Sequence, residues 1–271
     1  MVAQMAKNLV RGAVLRIASD LSGGTPLESI KCRVTATSDN MVQAFRGILN
    51  EAGVAGFWAG TPSRTVEGAL LGALFMFGSA VTKKKLLEMG VAPTVAALSA
   101  GTVGGVMQAL VMTPAGLIFT SLNVNRGRPG HENDNAWTVA KRVMEEKGIA
   151  GMYSGNGAMC LRQASNWASR SGFTELARTT FKMSKYGLLG EIGSGVIGGL
   201  GSCWNTPIET VRVLMQRDVS QGIEKKPFMH YWDTMVEEQG YPGLFRGVTP
   251  RGIQAIWQTI FMVVVPNMLG I

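Results

Sequence analysis

Long apolar stretches rich in Gly and Ala alternate along the chain with short polar, amphipathic ones, and the alternation recurs. Three of the long stretches run through a Thr-Pro pair, at Thr25-Pro26, Thr113-Pro114 and Thr206-Pro207. After each comes a polar loop, then apolar residues at helical spacing, which predicts short amphipathic helices near 41–51, 136–146 and 229–238. A second long segment follows in each case, near 62–82, 157–180 and 249–267. The six long segments run about 20 residues or more, enough to cross a bilayer as helices. Val and Ile do not alternate for long enough anywhere to predict strands.

The Thr-Pro pairs are about 90 residues apart, and a second signal keeps the same period. It reads Glu51-x-Gly53-x-x-Gly56-x-Trp58-x-Gly60, then Glu146-x-Gly148-x-x-Gly151-x-Tyr153-x-Gly155, then Glu238-x-Gly240-x-x-Gly243-x-Phe245-Arg246-Gly247. The chain thus reads as one domain over 1–271 with internal repeats at 1–90, 91–186 and 187–271. The box glycines end the short helices, since Gly favours helix C-termini.

Small residues four apart lie on one helix face and let backbones approach closely. Gly68/Gly72, Gly101/Gly105 and Gly195/Gly199 supply such faces. Gly193-Ser-Gly195-Val-Ile-Gly198 matches a dinucleotide-binding pattern, but it follows no strand and sits within an apolar helix. It reads as a packing face. Polar residues inside apolar spans are Arg162, Gln163, Ser165, Asn166, Arg170, Gln254 and Gln258. They are costly in hydrocarbon and are expected to face a bundle interior or a water-filled cavity.

Composition agrees with a membrane protein that has a polar interior. Hydrophobic residues make up 46% and charged residues 16%, against about 25% charged in soluble domains. The formal charge of +8 suggests an anionic partner. Basic residues do not cluster with aromatics, so nucleic acid is not expected. Cys32, Cys160 and Cys203 are scattered and form neither a disulfide framework nor a metal site. His131 and His230 lie in polar connections and are expected on the solvated surface, so no metal is predicted. Residues 1–20 carry Lys7, Arg11 and Arg16 without the apolar core of a secretory signal. Lys83-Lys84-Lys85 reads as a headgroup-facing end of a span. No nucleophile elbow or Walker loop is present, and an enzyme is not expected.

These features resemble the mitochondrial carrier family over essentially the whole chain. That family carries Pro-x-acid-x-x-base once per repeat, on each odd-numbered helix. Pro26-Leu-Glu28-Ser-Ile-Lys31 and Pro207-Ile-Glu209-Thr-Val-Arg212 match, with Gln216 where a bracing Gln is common. Pro114-Ala-Gly116-Leu-Ile-Phe119 keeps the proline and loses both charges. Asn205 to Arg212, Leu161 to Arg170, and Pro250-Arg251 are similar to the tricarboxylate (citrate) branch.

The resemblance implies an all-α membrane fold in the mitochondrial inner membrane. It has six transmembrane helices, three short matrix helices and threefold pseudo-symmetry, with both termini on the intermembrane side. Pro26, Pro114 and Pro207 are expected to kink the odd helices. The resemblance also implies a matrix gate of Glu28, Lys31, Glu209, Arg212 and Gln216. If each base meets the acid of the next repeat, only Arg212–Glu28 forms, and Lys31 and Glu209 lose their partners. The opposite gate retains only Glu175-x-x-Arg178. Gly60, Gly155, Arg246 and Gly247 fall where the family binds cardiolipin; no cofactor is implied.

The implied solute site is Arg162, Gln163, Ser165, Asn166, Arg170, Gln254 and Gln258. Leu71 and Phe75 stand where tricarboxylate carriers have basic residues on the second helix, and Gln254 and Gln258 where they have them on the sixth, so cations are expected on one wall only. Two functions follow. One is an exchanger of small tri- or dicarboxylates working by alternating access. The other is a carrier-derived, non-transporting subunit of a larger membrane assembly, such as a respiratory-chain or ATP synthase complex. For Arg162, Asn166 and Arg170 both anion binding and retained packing remain open. For the gate charges a static clasp is the favoured reading.

Overall fold

The computed structural model describes residues 10, 13–37, 39–126, 128–131, 133–224 and 226–269; Lys7 and Arg11 lie outside the described residues. No strand occurs among the described residues. Among the described residues, helical residues 13–19 open the first rod, and ten α-helices follow in order: α1 Thr25–Ala36, α2 Met41–Ala52, α3 Thr61–Glu88, α4 Pro93–Val124, α5 Ala136–Met152, α6 Asn156–Thr180, α7 Gly187–Gly201, α8 Thr206–Ser220, α9 Phe228–Gly243 and α10 Val248–Leu269. A π turn, Asp20–Gly24, leads into α1, and a 3-10 turn, Ser202–Asn205, joins α7 to α8. Six rods result, counting α7 with α8 as one. They form a ring, with α3 on α4, α4 on α6, α6 on α7, α7 on α10, α10 on α1, and α3 back on the π turn.

The short helices α2, α5 and α9 begin and end for local reasons. Asn40 and Asn135 cap α2 and α5 with their side chains, each in a reciprocal capping box with Gln43 or Thr138. Such caps satisfy N–H groups that the first turn leaves free. The box glycines interrupt them: Gly53 ends α2, and Gly148 and Gly240 break α5 and α9 at a kink before a short last turn, with φ of +61°, +63° and +69°. A second set, Gly60, Gly155 and Gly247, turns the chain into the next long helix at +82°, +78° and +75°. One backbone course therefore recurs three times.

Each short helix closes a small core against its own repeat. Ile30, Val34, Ala44, Ile48 and Phe57 form the first, and Leu117, Leu122, Val139, Val143 and Met152 belong to the second. The third holds Val211, Leu214, Tyr231, Met235 and Leu244. Phe57, Met152 and Leu244 occupy equivalent box positions and point inward, while the next residues, Trp58, Tyr153 and Phe245, are exposed.

The three signature prolines are used differently. Pro26 and Pro207 sit in the first turn of α1 and α8, immediately after the π and 3-10 turns. Helical structure instead runs on through Pro114 inside α4. A proline lacks the N–H that its upstream carbonyl needs. In the α register Pro114 leaves the Leu110 carbonyl free, and the Tyr153 hydroxyl donates to it at 3.0 Å. In the π register Pro26 leaves Leu21, whose carbonyl accepts from Trp58 Nε1 at 2.8 Å. Phe245 has no donor. In that repeat Arg251 donates to the Ser202 carbonyl at 3.3 Å, and the Thr206 hydroxyl to that of Cys203.

By length and mean hydropathy, one stretch among the described residues, Ser99–Val124, is apolar enough to cross a membrane. The other long helices carry charged or polar residues and fall short of that test. The 193–198 segment lies within α7 and packs closely; a Cβ on Gly195 would lie 2.6 Å from Thr259 Cγ2. Lys83, Lys84 and Lys85 are exposed, as expected. His131 is not free on the surface. Its Nδ1 lies 2.8 Å from Asp134 Oδ2, and the same carboxylate receives Arg142 Nη1 at 2.9 Å. Burial works to raise the Asp134 carboxyl, but Arg142 and His131 together hold it below the usual carboxylate range. His230 is exposed.

Candidate functional site

The signature residues of α1 and α8 meet at one end of the ring interior. Lys31 Nζ lies 3.1 Å from Glu209 Oε1 and 2.6 Å from Glu28 Oε1. The expected Arg212–Glu28 pair is not among the ion pairs, and Lys31 and Glu209 keep partners, namely each other. The direction of pairing is the reverse of that expected. The base of repeat one meets the acid of repeat three, so rotation would bring Arg212 to position 116 and the base at position 119 to Glu28.

Gly116 and Phe119 stand at those positions. A Cβ on Gly116 would lie 3.1 Å from Arg212 Nη1, which confirms that Arg212 faces it. With no acid there, Arg212 turns back to Glu209 on its own helix, at 3.1 and 3.0 Å, and to Gln216 Oε1 at 2.6 Å. Gln216 is fully buried and also donates to the Thr113 carbonyl at 3.2 Å, so it braces α8 against α4. Glu28, without a base at 119, accepts from Gln254 Nε2 at 2.7 Å. Arg162 reaches down from α6 and pairs with Glu209. The contact is made by its Nε to Glu209 Oε2.

Above this network lies a cavity of about 220 Å³. Arg162, Gln163, Asn166, Arg170, Gln254 and Gln258 line it, as the spacing led us to expect; Ser165 does not. The Ser165 hydroxyl donates to the Leu161 carbonyl at 2.8 Å and accepts from Asn205 Nδ2 at 2.9 Å. Gln254 is engaged with Glu28. Arg170 donates to Thr259 Oγ1 at 3.2 Å and, among the described residues, has no carboxylate within ion-pair distance.

Cations are not confined to one wall, contrary to expectation. Five arginines and two glutamates line the cavity, and Arg16 and Arg64 face it from the first rod and α3. Arg64 is buried, pairs with Asp20 at 3.2 Å and Glu67 at 3.6 Å, and lies over the Phe119 ring at 5.7 Å. Inspection of mid-helix positions passed over it. Leu71 does line the cavity, whereas Phe75 stacks on Trp167 with ring centres 4.3 Å apart. Gln108, also missed, ties that wall together. Its Oε1 accepts from Trp167 and Gln163, and its Nε2 donates to the Leu71 carbonyl.

Alignment of the glycine boxes would have found Arg64, because it stands four residues after Gly60 as Arg251 stands four after Gly247. Arg251 is buried and holds Asn205, Thr206 Oγ1 and the Ser202 carbonyl. Each arginine thus braces the broken turn before its own signature proline. Met159 fills the equivalent place in repeat two, where the helix is unbroken.

Of the proposed lipid contacts, Gly60, Gly155 and Gly247 precede α3, α6 and α10, and Arg246 donates to the Thr37 carbonyl at 2.9 Å. A surface hollow of about 410 Å³ joins Gly155 and Asn156 to Lys226 and Phe228. Arg178 is exposed, and the side chain of Glu175 lies outside the described residues. Among the described residues no group of ligands could hold a metal ion.

A ring of helical rods thus encloses a charged cavity. The chain belongs to the mitochondrial carrier family, whose model, described as mitochondrial carrier protein, matches residues 2–90, 90–185 and 186–269. Among its relatives is a citrate/oxoglutarate carrier protein of Saccharomyces cerevisiae, 29% identical over 94% of this chain and 86% of that protein. A succinate/fumarate mitochondrial transporter of the same yeast is 27% identical over 60% of this chain and 56% of that protein. An adenine nucleotide transporter of Arabidopsis thaliana, named as chloroplastic/mitochondrial, is 24% identical over 93% and 65%. These homologues are transporters rather than enzymes.

Proposed function

We propose that this chain exchanges small di- and tricarboxylates across the mitochondrial inner membrane by alternating access. The observation that carries the reading is the cavity itself, lined by five arginines and two glutamates and ended by the Lys31–Glu209 pair. Guanidinium groups bind carboxylates in forked geometry, and a low-dielectric wall strengthens the attraction. Arg162, Asn166 and Arg170 lie on one face of α6, with about 12 Å of helix rise between the two arginines. Gln163 and Gln258 add neutral donors. The names of the two yeast relatives agree with this solute class.

Six spans, with repeats 1–90, 91–186 and 187–271 forming one unit, suit the distribution of residues. On α3 the exposed Val66, Leu70, Phe77 and Val81 form an outward apolar stripe, while Arg64 and Glu67 of the same helix are buried. Apolar residues outside and charges inside are what a bilayer selects, and they explain why hydropathy alone flags one helix. The short helices would face the matrix and the termini the intermembrane space. Backbone N–H groups at the start of α6, beside Lys226, suit a cardiolipin phosphate.

The loss of both charges at Gly116 and Phe119 favours the second reading, a carrier-derived subunit of a larger membrane complex. Liposomes containing cardiolipin and the purified chain, preloaded with malate or citrate, separate the two. Labelled citrate or 2-oxoglutarate should enter only against an internal anion, and the Arg162→Ala, Arg170→Ala double variant should not support entry. No exchange of either solute by a folded chain would favour the subunit reading.

A further inference from the structure

We propose that the solute itself supplies the acid that repeat two lacks, with one carboxylate binding over Gly116 between Arg212 and Arg162. The inference rests on the carboxylate reading above and deepens it by placing one end of the ligand. It begins with a charge count at the closed end of the cavity. Lys31, Arg162 and Arg212 meet there with Glu28 and Glu209, three cations against two anions. Glu209 alone faces all three cations. The network is therefore one negative charge short, in a buried place where an unbalanced charge is costly.

The position of the shortfall is defined by geometry. Rotation of the Lys31–Glu209 pair through the repeat assigns the partner of Arg212 to residue 116, and Gly116 has no side chain to offer. Arg212 Nη1 nonetheless remains there, 3.1 Å from where a Cβ would be. Gly116, Arg212, Arg162 and Gln163 all border the cavity, so a solute carboxylate can reach the spot that an aspartate would occupy. Arg162 is ready to share it. Its Nε is taken by Glu209, but its Nη1 is held by Gln163 Oε1 at 3.2 Å and Met159 Sδ at 3.7 Å and by no carboxylate. Two guanidinium groups beside a small open wall suit a planar carboxylate. A second carboxylate on the same solute would point along α6 toward Arg170.

The consequence is a gate whose closed form is completed by the cargo. An acidic residue at 116 should imitate bound solute and compete with it. Thermal unfolding of the full-length chain in detergent, titrated with 2-oxoglutarate or citrate at constant ionic strength, reads this. Gly116→Asn controls for size and Gly116→Asp adds only the charge. Wild type and Gly116→Asn should both be stabilised by the anions. Gly116→Asp should unfold at higher temperature than Gly116→Asn without ligand and should need about tenfold more anion or greater for the same shift. Equal responses of Gly116→Asp and Gly116→Asn, in a chain whose wild type does respond, would overturn this proposal alone. A wild type that neither anion stabilises would overturn the carboxylate reading and this proposal with it. Should Gly116→Asp not fold, Arg212→Gln replaces it, since Lys31 and Arg162 still neutralise Glu209. That variant should lose the anion response, and an undiminished response would overturn the proposal.

Discussion

Lys31 and Glu209 are 178 residues apart in the chain and 3.1 Å apart in space, and they tie the first repeat to the third. Both side chains are almost wholly buried. Loss of Lys31 leaves Glu209 with Arg162 and Arg212, whereas loss of Glu209 leaves Lys31, Arg162 and Arg212 with Glu28 alone, and an uncompensated buried charge typically costs about 3–5 kcal/mol. Glu209→Gln should therefore lower the unfolding temperature strongly, and Lys31→Gln less. The Lys31→Gln, Glu209→Gln double variant should lose less than the sum of the single variants. Additive losses would show that the two residues do not work as a pair.

Arg162 and Arg170 should separate in their effects. Arg162 pairs with Glu209, whereas Arg170 is held by the Thr259 hydroxyl. Arg170→Gln should raise the apparent KM for carboxylate exchange with an unfolding temperature close to wild type. Arg162→Gln should change both. The check is uptake kinetics alongside thermal unfolding of the same preparations, and a large loss of stability in Arg170→Gln would contradict the assignment.

The Tyr153 hydroxyl is matched to a proline. It serves the Leu110 carbonyl that Pro114 leaves without a donor. Tyr153→Phe should cost about 0.5–1.5 kcal/mol, the usual net value of one hydrogen bond. In a Pro114→Ala background the same change should cost less, because an alanine at that position supplies the missing N–H from within the helix. A double-mutant cycle by chemical or thermal unfolding measures the difference.

Asp134 gives the 125–135 connection a pH dependence with a definite sign. Its folded carboxyl titrates below its unfolded value of about 4, so its contribution is fully present above that pH. The contribution fades as the pH falls through the lower folded value. Proteolysis or hydrogen exchange in this connection should be flat from neutrality to about pH 4 and should rise below it. In Arg142→Gln the loosening should begin at higher pH.

The parts of this molecule that were legible beforehand are those written locally. The bounds of α2 followed from Gly53, and the box residues 57, 152 and 244 were already aligned with one another. Of the polar residues within apolar spans, all but Ser165 line the cavity, because burying them elsewhere is too costly. The partner of Lys31 was not legible, since the direction in which three repeats rotate about a common axis leaves no mark within any one of them. Arg64 was missed for a related reason. It acts across the bundle on Asp20, and periodicity within α3 carries no trace of that contact. His131 was misjudged because a polar loop can fold its own charges together, as it does with Asp134 and Arg142.

The unbroken course of α4 through Pro114 has a mechanical consequence. An iris opens evenly only when all its blades bend alike. Here two rods have an interrupted turn with an arginine latch across it, Arg64 in one case and Arg251 in the other, and the third runs without a break past Met159. If the proposed exchange holds, the two latched rods are the ones free to bend and the third is not.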